Sequence, residues 1–396
     1  MIEEPSIVKC PCCHNVSQAA IIYEHHDLPI HSCLLVSTRD EALDFPTGDL
    51  RLAFCRTCGF IWNIEFQPEL MRYSASYEET QVFSERFRTF QTGLLERWID
   101  RYDLRNRQVV EIGCGKGDFL LELCERGENS GVGIDPSYRS DRHDGQPDAV
   151  TFLPELYDDK HVELGCNFIA CRHTLEHIAD PRRFVEMVRR QAGESGNAVV
   201  GFELPDIERI LAEQAFWDLY YEHCSNFSLG SLARLFRSLG FEILDLHRDY
   251  DGQYLVLEAR PTNDTNPRRH SAEEPVEELA RLVTGFRQQI QERQYQWQTF
   301  VREHHLAGRR IALWGSGSKA VAFLNRFGFR AEVSAVVDVN PHKHGKFLAV
   351  SGHEILSPTQ LQTVQPDIVI AMNPIYQEEI GADLRRLGLD VELVSL

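Results

Sequence analysis

The chain has 396 residues, too many for one ordinary hydrophobic core, and reads as two or three domains that fold without covalent staples. Its formal charge of −19 is spread along the sequence, which argues against a phosphate-backbone partner such as bulk DNA or RNA. Eleven cysteines, an odd number scattered over a long chain, fit reduced thiols and a metal site better than a secreted disulfide framework.

The N-terminus is not signal-like, because Met1 to Cys10 already carries Glu3, Glu4 and Pro5, and no apolar run is long enough to span a bilayer. A cytoplasmic protein with no membrane partner is therefore expected. Cys10-Pro-Cys-Cys13 and Cys55-Arg-Thr-Cys58-Gly59 are two C-x-x-C knuckles. Two such turns can present four thiolates tetrahedrally, so Cys10, Cys13, Cys55 and Cys58 are the expected ligands of a structural Zn²⁺. Cys12 adjoins Cys13 and either could be the second ligand; the spacing favours Cys13. Four protein ligands leave no open position, so the zinc should fold its module and do no chemistry. His14, His25, His26 and His31 read as surface or loop residues.

Tyr73 and Tyr77 fall in an irregular stretch where polar aromatics could line a pocket. From Val82 to Tyr102, Phe83, Phe87, Phe90, Leu94, Leu95, Trp98 and Ile99 recur at helical spacing, predicting a long amphipathic helix packed on a sheet.

Gln108 to Phe119, QVVEIGCGKGDF, predicts a buried strand ending near Glu111, a turn through Gly113, Gly115 and Gly117 that brings backbone close to a ligand, and the start of a helix. Gly131 to Ile134 predicts a second strand ending on Asp135, placed to hydrogen-bond ribose hydroxyls about twenty residues after the glycines. Glu111 before the turn and Asp118 after it disfavour a pyrophosphate. The E-x-G-C-G-x-G form resembles the first motif of class I S-adenosylmethionine-dependent methyltransferases, whose loop packs against a phosphate-free ligand bearing an amino acid.

Asn167 to Cys171 predicts a central strand, at whose carboxyl end Arg172 and His173 should meet the ligand. Glu176 and His177 read as orienting or structural, Pro181 starts a helix through Arg190, and Ala198 to Glu203 predicts the next strand. In Tyr220-Tyr221-Glu222-His223 a histidine beside a carboxylate can act as a general base, its basicity raised by that neighbour, and tyrosines can donate to a developing oxyanion. A helix from Leu229 to Leu239 follows, then strands at Phe241 to Leu246 and Tyr254 to Ala259. Arg260 to Glu274 reads as a linker and Val276 to His305 as a helix.

Gly315, Gly317 and Ala320 match G-x-G-x-x-A, with a second strand ending at Asp338. Ile311 to Trp314, Ala335 to Val337, Ile368 to Ala371 and Val391 to Val394 predict a small parallel sheet. A lone motif of this kind is weak evidence for a dinucleotide. Lys319 and Asn340-Pro-His-Lys-His-Gly-Lys346 supply local positive charge, read as a solvated loop or a phosphate contact.

Taken together, Cys10, Cys13, Cys55 and Cys58, the E-I-G-C-G-K-G loop, R-H-T-L-E-H-I-x-D-P, Tyr220-x-Glu222-His223 before Phe227-Ser228, and V-D-x-N-P-H-K-x-G-K resemble the three-domain deoxysugar C-methyltransferases over nearly the whole length. The resemblance implies an α/β fold: a class I methyltransferase Rossmann-like sheet flanked by a small N-terminal zinc-binding module (1–72) and a C-terminal Rossmann-like domain (309–396). The catalytic domain would span 73–262 and a helical connector 263–308. The implied reaction is methylation of a nucleotide-linked keto-sugar at carbon 3, with no redox cofactor. His223 would remove the proton beside the ketone, with Tyr220, Glu222 and Tyr77 steadying the enolate. Glu111, Gly113, Gly115, Gly117, Asp135, Arg172 and His173 are the expected S-adenosylmethionine contacts. The expected partner is a small molecule, with the chain a monomer or homodimer. Competing readings are O- or N-methylation of a small molecule, a non-catalytic sugar-nucleotide binder, and an NAD-dependent sugar oxidoreductase.

Overall fold

A computed structural model describes residues 7–71, 73, 76–143, 147–196 and 198–396. Position 72, where the sequence divides cysteine module from catalytic domain, lies outside the described residues, as do Ser74, Ala75 and the first six residues.

Strands β1 (Ile7–Lys9) and β2 (Val16–Gln18) form an antiparallel hairpin whose turn carries the first cysteine pair. β3 (Ala20–Pro29), β4 (Thr47–Phe54) and β5 (Ile61–Asn63) form an antiparallel sheet, with the second pair in the turn from β4 to β5. Helix α1 (Arg39–Leu43) lies between β3 and β4 and opens with a reciprocal Thr38–Glu41 cap.

Helix α2 (Glu85–Tyr102) starts three residues later than the apolar spacing predicts, because the Ser84 hydroxyl accepts the Phe87 amide at 3.2 Å and fixes the end there. There follow β6 (Gln108–Ile112), α3 (Asp118–Gly127), β7 (Ser130–Ile134), β8 (Val150–Leu153), β9 (Phe168–Arg172), α4 (Pro181–Glu194) and β10 (Val199–Pro205). After these come α5 (Ile207–Glu213), β11 (Ser225–Asn226), α6 (Leu229–Ser238), β12 (Phe241–Asp249) and β13 (Tyr254–Pro261). Seven strands make one sheet in the order β8-β7-β6-β9-β10-β13-β12, parallel except that β13 runs antiparallel to both neighbours. Both faces are covered, which is why its inner strands read as continuous apolar runs. Leu94, Leu95 and Trp98 of α2 pack with Phe119, Leu120 and Leu123 of α3 on one side. Phe184, Val185 and Val188 of α4 pack with Leu232 and Phe236 of α6 on the other. The edge strand β8 is only part-buried and gives no such run in sequence.

β11 does not join this sheet. It pairs antiparallel with β5, Ser225 opposite Trp62 and Asn226 opposite Ile61, and so completes the N-terminal sheet in the order β3-β4-β5-β11. The two residues that follow His223 and Cys224 are thereby fastened to the cysteine module.

Helix α7 (Val276–Leu306) lays Leu279, Val283, Phe286, Ile290, Trp297 and Val301 into a core shared with Leu50 and Leu52 of β4, Ile210 of α5, and Ile311 and Leu313. Beyond it lie β14 (Ile311–Trp314), α8 (Ser318–Phe327), β15 (Ala335–Val337), β16 (Ile355–Leu356), α9 (Leu361–Val364), β17 (Ile368–Ala371), α10 (Gln377–Arg386) and β18 (Glu392–Ser395). The strands form a parallel sheet in the order β16-β15-β14-β17-β18. Four of the five were expected; β16 has two residues, too few for a sequence pattern.

The stretch between β13 and α7 is irregular, as expected, but it is pinned. Glu273 pairs with Arg237 at 2.8 and 2.9 Å, and Glu274 accepts the Gly230 amide at 2.6 Å, neutralising the N-terminus of α6. Among the described residues no helix is long and apolar enough to cross a membrane.

Candidate functional site

The carboxyl ends of β6, β7 and β9 open onto a large cavity, the position where open α/β sheets hold ligands. Glu111, Gly113, Gly115, Asp135, Arg172 and His173 line it on the sheet side, and Tyr77, Tyr220 and His223 line it as well. Gly315, Gly317, Ser318, Lys319, Asp338 and Asn340 of the C-terminal domain close it. Gly117 and Glu222 are the two expected site residues that do not line this cavity.

The glycine turn owes its shape to the protein around it. Gly113 and Gly117 have φ of +74° and +90°, conformations costly for residues with a Cβ. A Cβ on Gly113 would stand 1.8 Å from Thr174 Oγ1, and one on Gly117 would stand 2.6 Å from the Phe152 ring. At Gly115 it would meet Glu79 Oε1 at 2.4 Å, on the cavity side. Asp135 closes the turn by accepting the Gly115 amide at 2.9 Å and the Ser137 amide at 2.6 Å. Each of its oxygens keeps a lone pair for a diol.

The cavity wall here is acidic, with Glu79, Glu111, Asp118 and Asp135 all facing it, while the Lys116 ammonium is turned to the Ser137 carbonyl at 2.8 Å. Glu111 is 2 % exposed and its Oε2 has no hydrogen-bond partner. Burial pushes its carboxyl up to about 8, with Arg172 opposing. Arg172 donates to Glu203 at 2.7 Å and Gln91 at 3.2 Å and lies 4.2 Å over the Phe119 ring, yet its buried Nη2 has no partner. An orphan acceptor on Glu111, which a bound ammonium would ionise, and an orphan cationic donor on Arg172 fit a zwitterionic amino-acid tail; a pyrophosphate would face a wall of four carboxyl groups. His173, at φ +46°, stands 2.8 Å from Glu203 and 3.5 Å from Glu176; burial alone would lower its value, but those carboxylates prevail and raise it to about 9.

A pH effect follows. Glu111 is protonated more readily in the folded protein than in the unfolded chain, so the folded state binds the extra proton between about pH 4.5 and 8 and its stability falls as pH rises through that window. The melting temperature of the ligand-free protein should drop from pH 6 to pH 9, and Glu111→Gln should flatten the drop. An unchanged slope in that variant would remove Glu111 as its source.

Next to His223 in sequence, Glu222 is 1 % exposed and accepts the Ser32 amide at 2.8 Å, the Tyr77 hydroxyl at 3.0 Å and His31 Nδ1 at 3.2 Å. Burial would raise its carboxyl, but the His31 hydrogen bond and nearby imidazoles hold it at about 2. Two expectations are corrected here. Glu222 does not line the cavity, because it satisfies Ser32, His31 and Tyr77, and His31, read as a surface or loop residue, sits in the loop after β3 but is fully buried as its partner. A third correction concerns His223. Its imidazole is lowered to about 4, first by burial and then by the adjoining His177, an effect that Glu222 and Glu176 offset only in part. The neighbouring carboxylate raises its basicity, as expected, but burial and His177 outweigh it, and the ring is neutral at neutral pH.

The Tyr220 ring packs edge-on against His223, centroids 4.5 Å apart, and its hydroxyl donates to Asp218 at 2.8 Å. His177 stands edge-on to His223 at 4.8 Å and hydrogen-bonds the Tyr73 hydroxyl at 3.0 Å. Sequence reading marked Tyr73 with Tyr77 as able to line a pocket but left His177, Asp218 and Lys319 outside the site, since nothing in their spacing links separate segments. In the second glycine turn, Asp338 accepts from the Ser316 amide at 2.9 Å, the Ser316 hydroxyl at 2.7 Å, the Asn340 amide at 2.9 Å and Lys343 at 3.2 Å. Its Oδ2 is thus filled by its own loop, while Oδ1 accepts only the Asn340 amide.

The sulfurs of Cys10, Cys13, Cys55 and Cys58 lie within 4.8 Å of one another, with Cys10–Cys58 and Cys13–Cys55 each at 3.7 Å. Bonds of about 2.3 Å to a tetrahedral zinc would separate sulfurs by about 3.8 Å, so the donor set fits that ion. Cys12 is buried outside the group.

Sheet order, glycine turn and acidic cavity define a class I S-adenosylmethionine-dependent methyltransferase. Residues 84–246 match the family model of a methyltransferase domain, and residues 260–389 match that of a C-methyltransferase C-terminal domain. The chain is 27% identical over 302 residues to the C-methyltransferase NovU of Streptomyces niveus, covering 72% of this chain and 71% of that one. It is 28% identical over 129 residues to a ribosomal protein L11 methyltransferase of Pasteurella multocida, over 31% of this chain and 41% of that one. Among solved structures, the magnesium protoporphyrin IX methyltransferase of Synechocystis aligns with a TM-score of 0.35 at 13% identity, over 45% of this chain and 84% of that one. The chain thus joins a methyltransferase domain to a C-methyltransferase C-terminal domain, and it is an S-adenosylmethionine-dependent C-methyltransferase.

Proposed function

We propose that the acceptor is a nucleotide-linked keto-deoxysugar, methylated on the carbon beside its ketone through an enolate that His223 generates. The observation that carries this reading is a neutral imidazole lining the same cavity as the donor turn. Carbon becomes nucleophilic only when its proton leaves toward a neighbouring carbonyl, so a C-methyltransferase needs such a base. The donor supplies a methyl on a sulfonium, whose C–S pair stays on sulfur as the new C–C bond forms. Glu111 and Arg172 would take its ammonium and carboxylate, Asp135 its ribose hydroxyls, and the turn at Gly113 and Gly115 its adenosyl edge. Gly117 would act indirectly, by letting Phe152 pack under the turn. His173 would hold the wall through Glu203.

His223 would take the proton on its ring nitrogen and keep it until the ketone reforms. Tyr220 and Tyr77 would shape the acceptor pocket with their rings, since each has a single O–H proton and does not offer it to the enolate oxygen. Both hydroxyls are given to carboxylates here, Asp218 and Glu222, so Glu222 would act through Tyr77. The four cysteines would hold zinc as a fold-forming ion, with no place in the reaction.

The test is solvent deuterium exchange at the acceptor carbon without donor, followed by mass spectrometry of products from labelled donor and a panel of nucleotide-linked keto-sugars. Exchange at that carbon is expected. Methylation of a hydroxyl or amine with no carbon exchange would overturn the enolate.

A further inference from the structure

The second glycine turn remains unexplained by donor binding or proton removal. Its lysine, Lys319 in the first turn of α8, reaches across the domain boundary and pairs with Asp218 Oδ1. The other Asp218 oxygen takes Arg209 Nη2 at 2.5 Å. Asp218 is 5 % exposed and also accepts the Tyr220 hydroxyl. The same two segments are joined by rings: Phe216, two residues before Asp218, packs against Phe323 and Phe327 of α8 at 6.2 and 5.4 Å. Lys319, the charged side chain that follows the turn's glycines, is thus committed to Asp218 and serves the protein itself.

We propose that Lys319 and Asp218 are positioning residues for methyl transfer: the C-terminal glycine turn delivers Lys319, which with Arg209 locks the Asp218 carboxylate, and Asp218 holds Tyr220 edge-on to His223. The inference rests on the reading of Tyr220 and His223 as the residues facing the acceptor. A carboxylate between two cations has one low-energy orientation, so the hydroxyl bonded to it has one as well. Removing Lys319 leaves Asp218 free to follow Arg209, and Tyr220 loses its fixed rotamer. Misplacing a reacting group by about an ångström can cost on the order of 100-fold in rate.

The experiment uses the full chain labelled with [¹³Cζ]tyrosine, the Tyr220 resonance being assigned by its loss in Tyr220→Phe. Asp218→Asn and Lys319→Met should each move that resonance, and Lys319→Arg should leave it near its original place. In parallel, turnover and carbon exchange are measured with a thymidine-diphosphate-linked 4-keto-6-deoxyhexose as probe. Asp218→Asn and Lys319→Met should lower turnover by about 10- to 100-fold with the KM for S-adenosylmethionine within about twofold. Lys319→Arg should recover most of the loss, and Asp218→Asn should add little in a Tyr220→Phe background. An unmoved resonance in both variants, or fully additive losses, would overturn the proposal. If the resonance moves while His223→Ala keeps full carbon exchange, the base assignment falls and the positioning of Tyr220 stands.

Discussion

Replacing His223 by alanine should lower methyl transfer by about 10²- to 10⁴-fold, the usual worth of a positioned general base, while S-adenosylmethionine binds with unchanged affinity. The second half follows from place: the orphan groups of Glu111 and Arg172 belong to the strand ends of the sheet, and His223 to the loop ahead of β11. The pH profile gives an independent check. His223 has a folded value of about 4 against an ordinary 6.5, so the folded protein binds fewer protons than the unfolded chain between those values. What this group contributes to stability is complete above pH 6.5 and is lost as pH falls through 4. The acid limb of turnover should therefore lie well below pH 6. A limb centred at 6.5, or full activity in His223→Ala measured with labelled donor, would assign the base elsewhere.

Serine in place of Cys55 should unfold the N-terminal module. Structural zinc sites of this kind contribute about 10–16 kcal/mol of binding free energy that is also folding free energy, so losing one thiolate removes most of what holds the two turns together. The damage should not stay local, because Arg234 of α6 donates to the Cys58 carbonyl at 3.0 Å and the Asn63 amide donates to Cys224 O at 3.0 Å. Ser32 and His31 of the same module hold Glu222. Activity is expected to fall with the zinc content, measured by atomic absorption at about one ion per chain beforehand. A zinc-free Cys55→Ser protein with an unchanged melting curve and full turnover would show that the four thiols hold no ion of consequence.

These two experiments probe opposite ends of one arrangement. His223 is held between a module that folds around four sulfurs and a C-terminal domain that reaches it through Lys319, Asp218 and Tyr220. A mobile loop would let a half-buried imidazole turn; fastening it from both sides keeps the ring oriented.

Local chemistry made much of this protein legible from its residues alone. The glycine turn after β6, Asp135 at the end of β7, the C-x-x-C pairs and the apolar stripe of α2 each depend on neighbours a few positions apart, and such patterns survive in a one-dimensional string. The strands β8, β11 and β16 did not, because they are edge or two-residue strands whose partners lie far along the chain. The same distance hid what surrounds His223: Glu222 is adjacent in sequence yet faces His31, 191 positions away, while Asp218 is held by a lysine 101 positions on. Sequence determined which residues could carry a methyl donor, a zinc ion and a base. Only tertiary packing decided their charge states and directions, since burial and long-range ion pairs outweigh the nearest carboxylate in setting both.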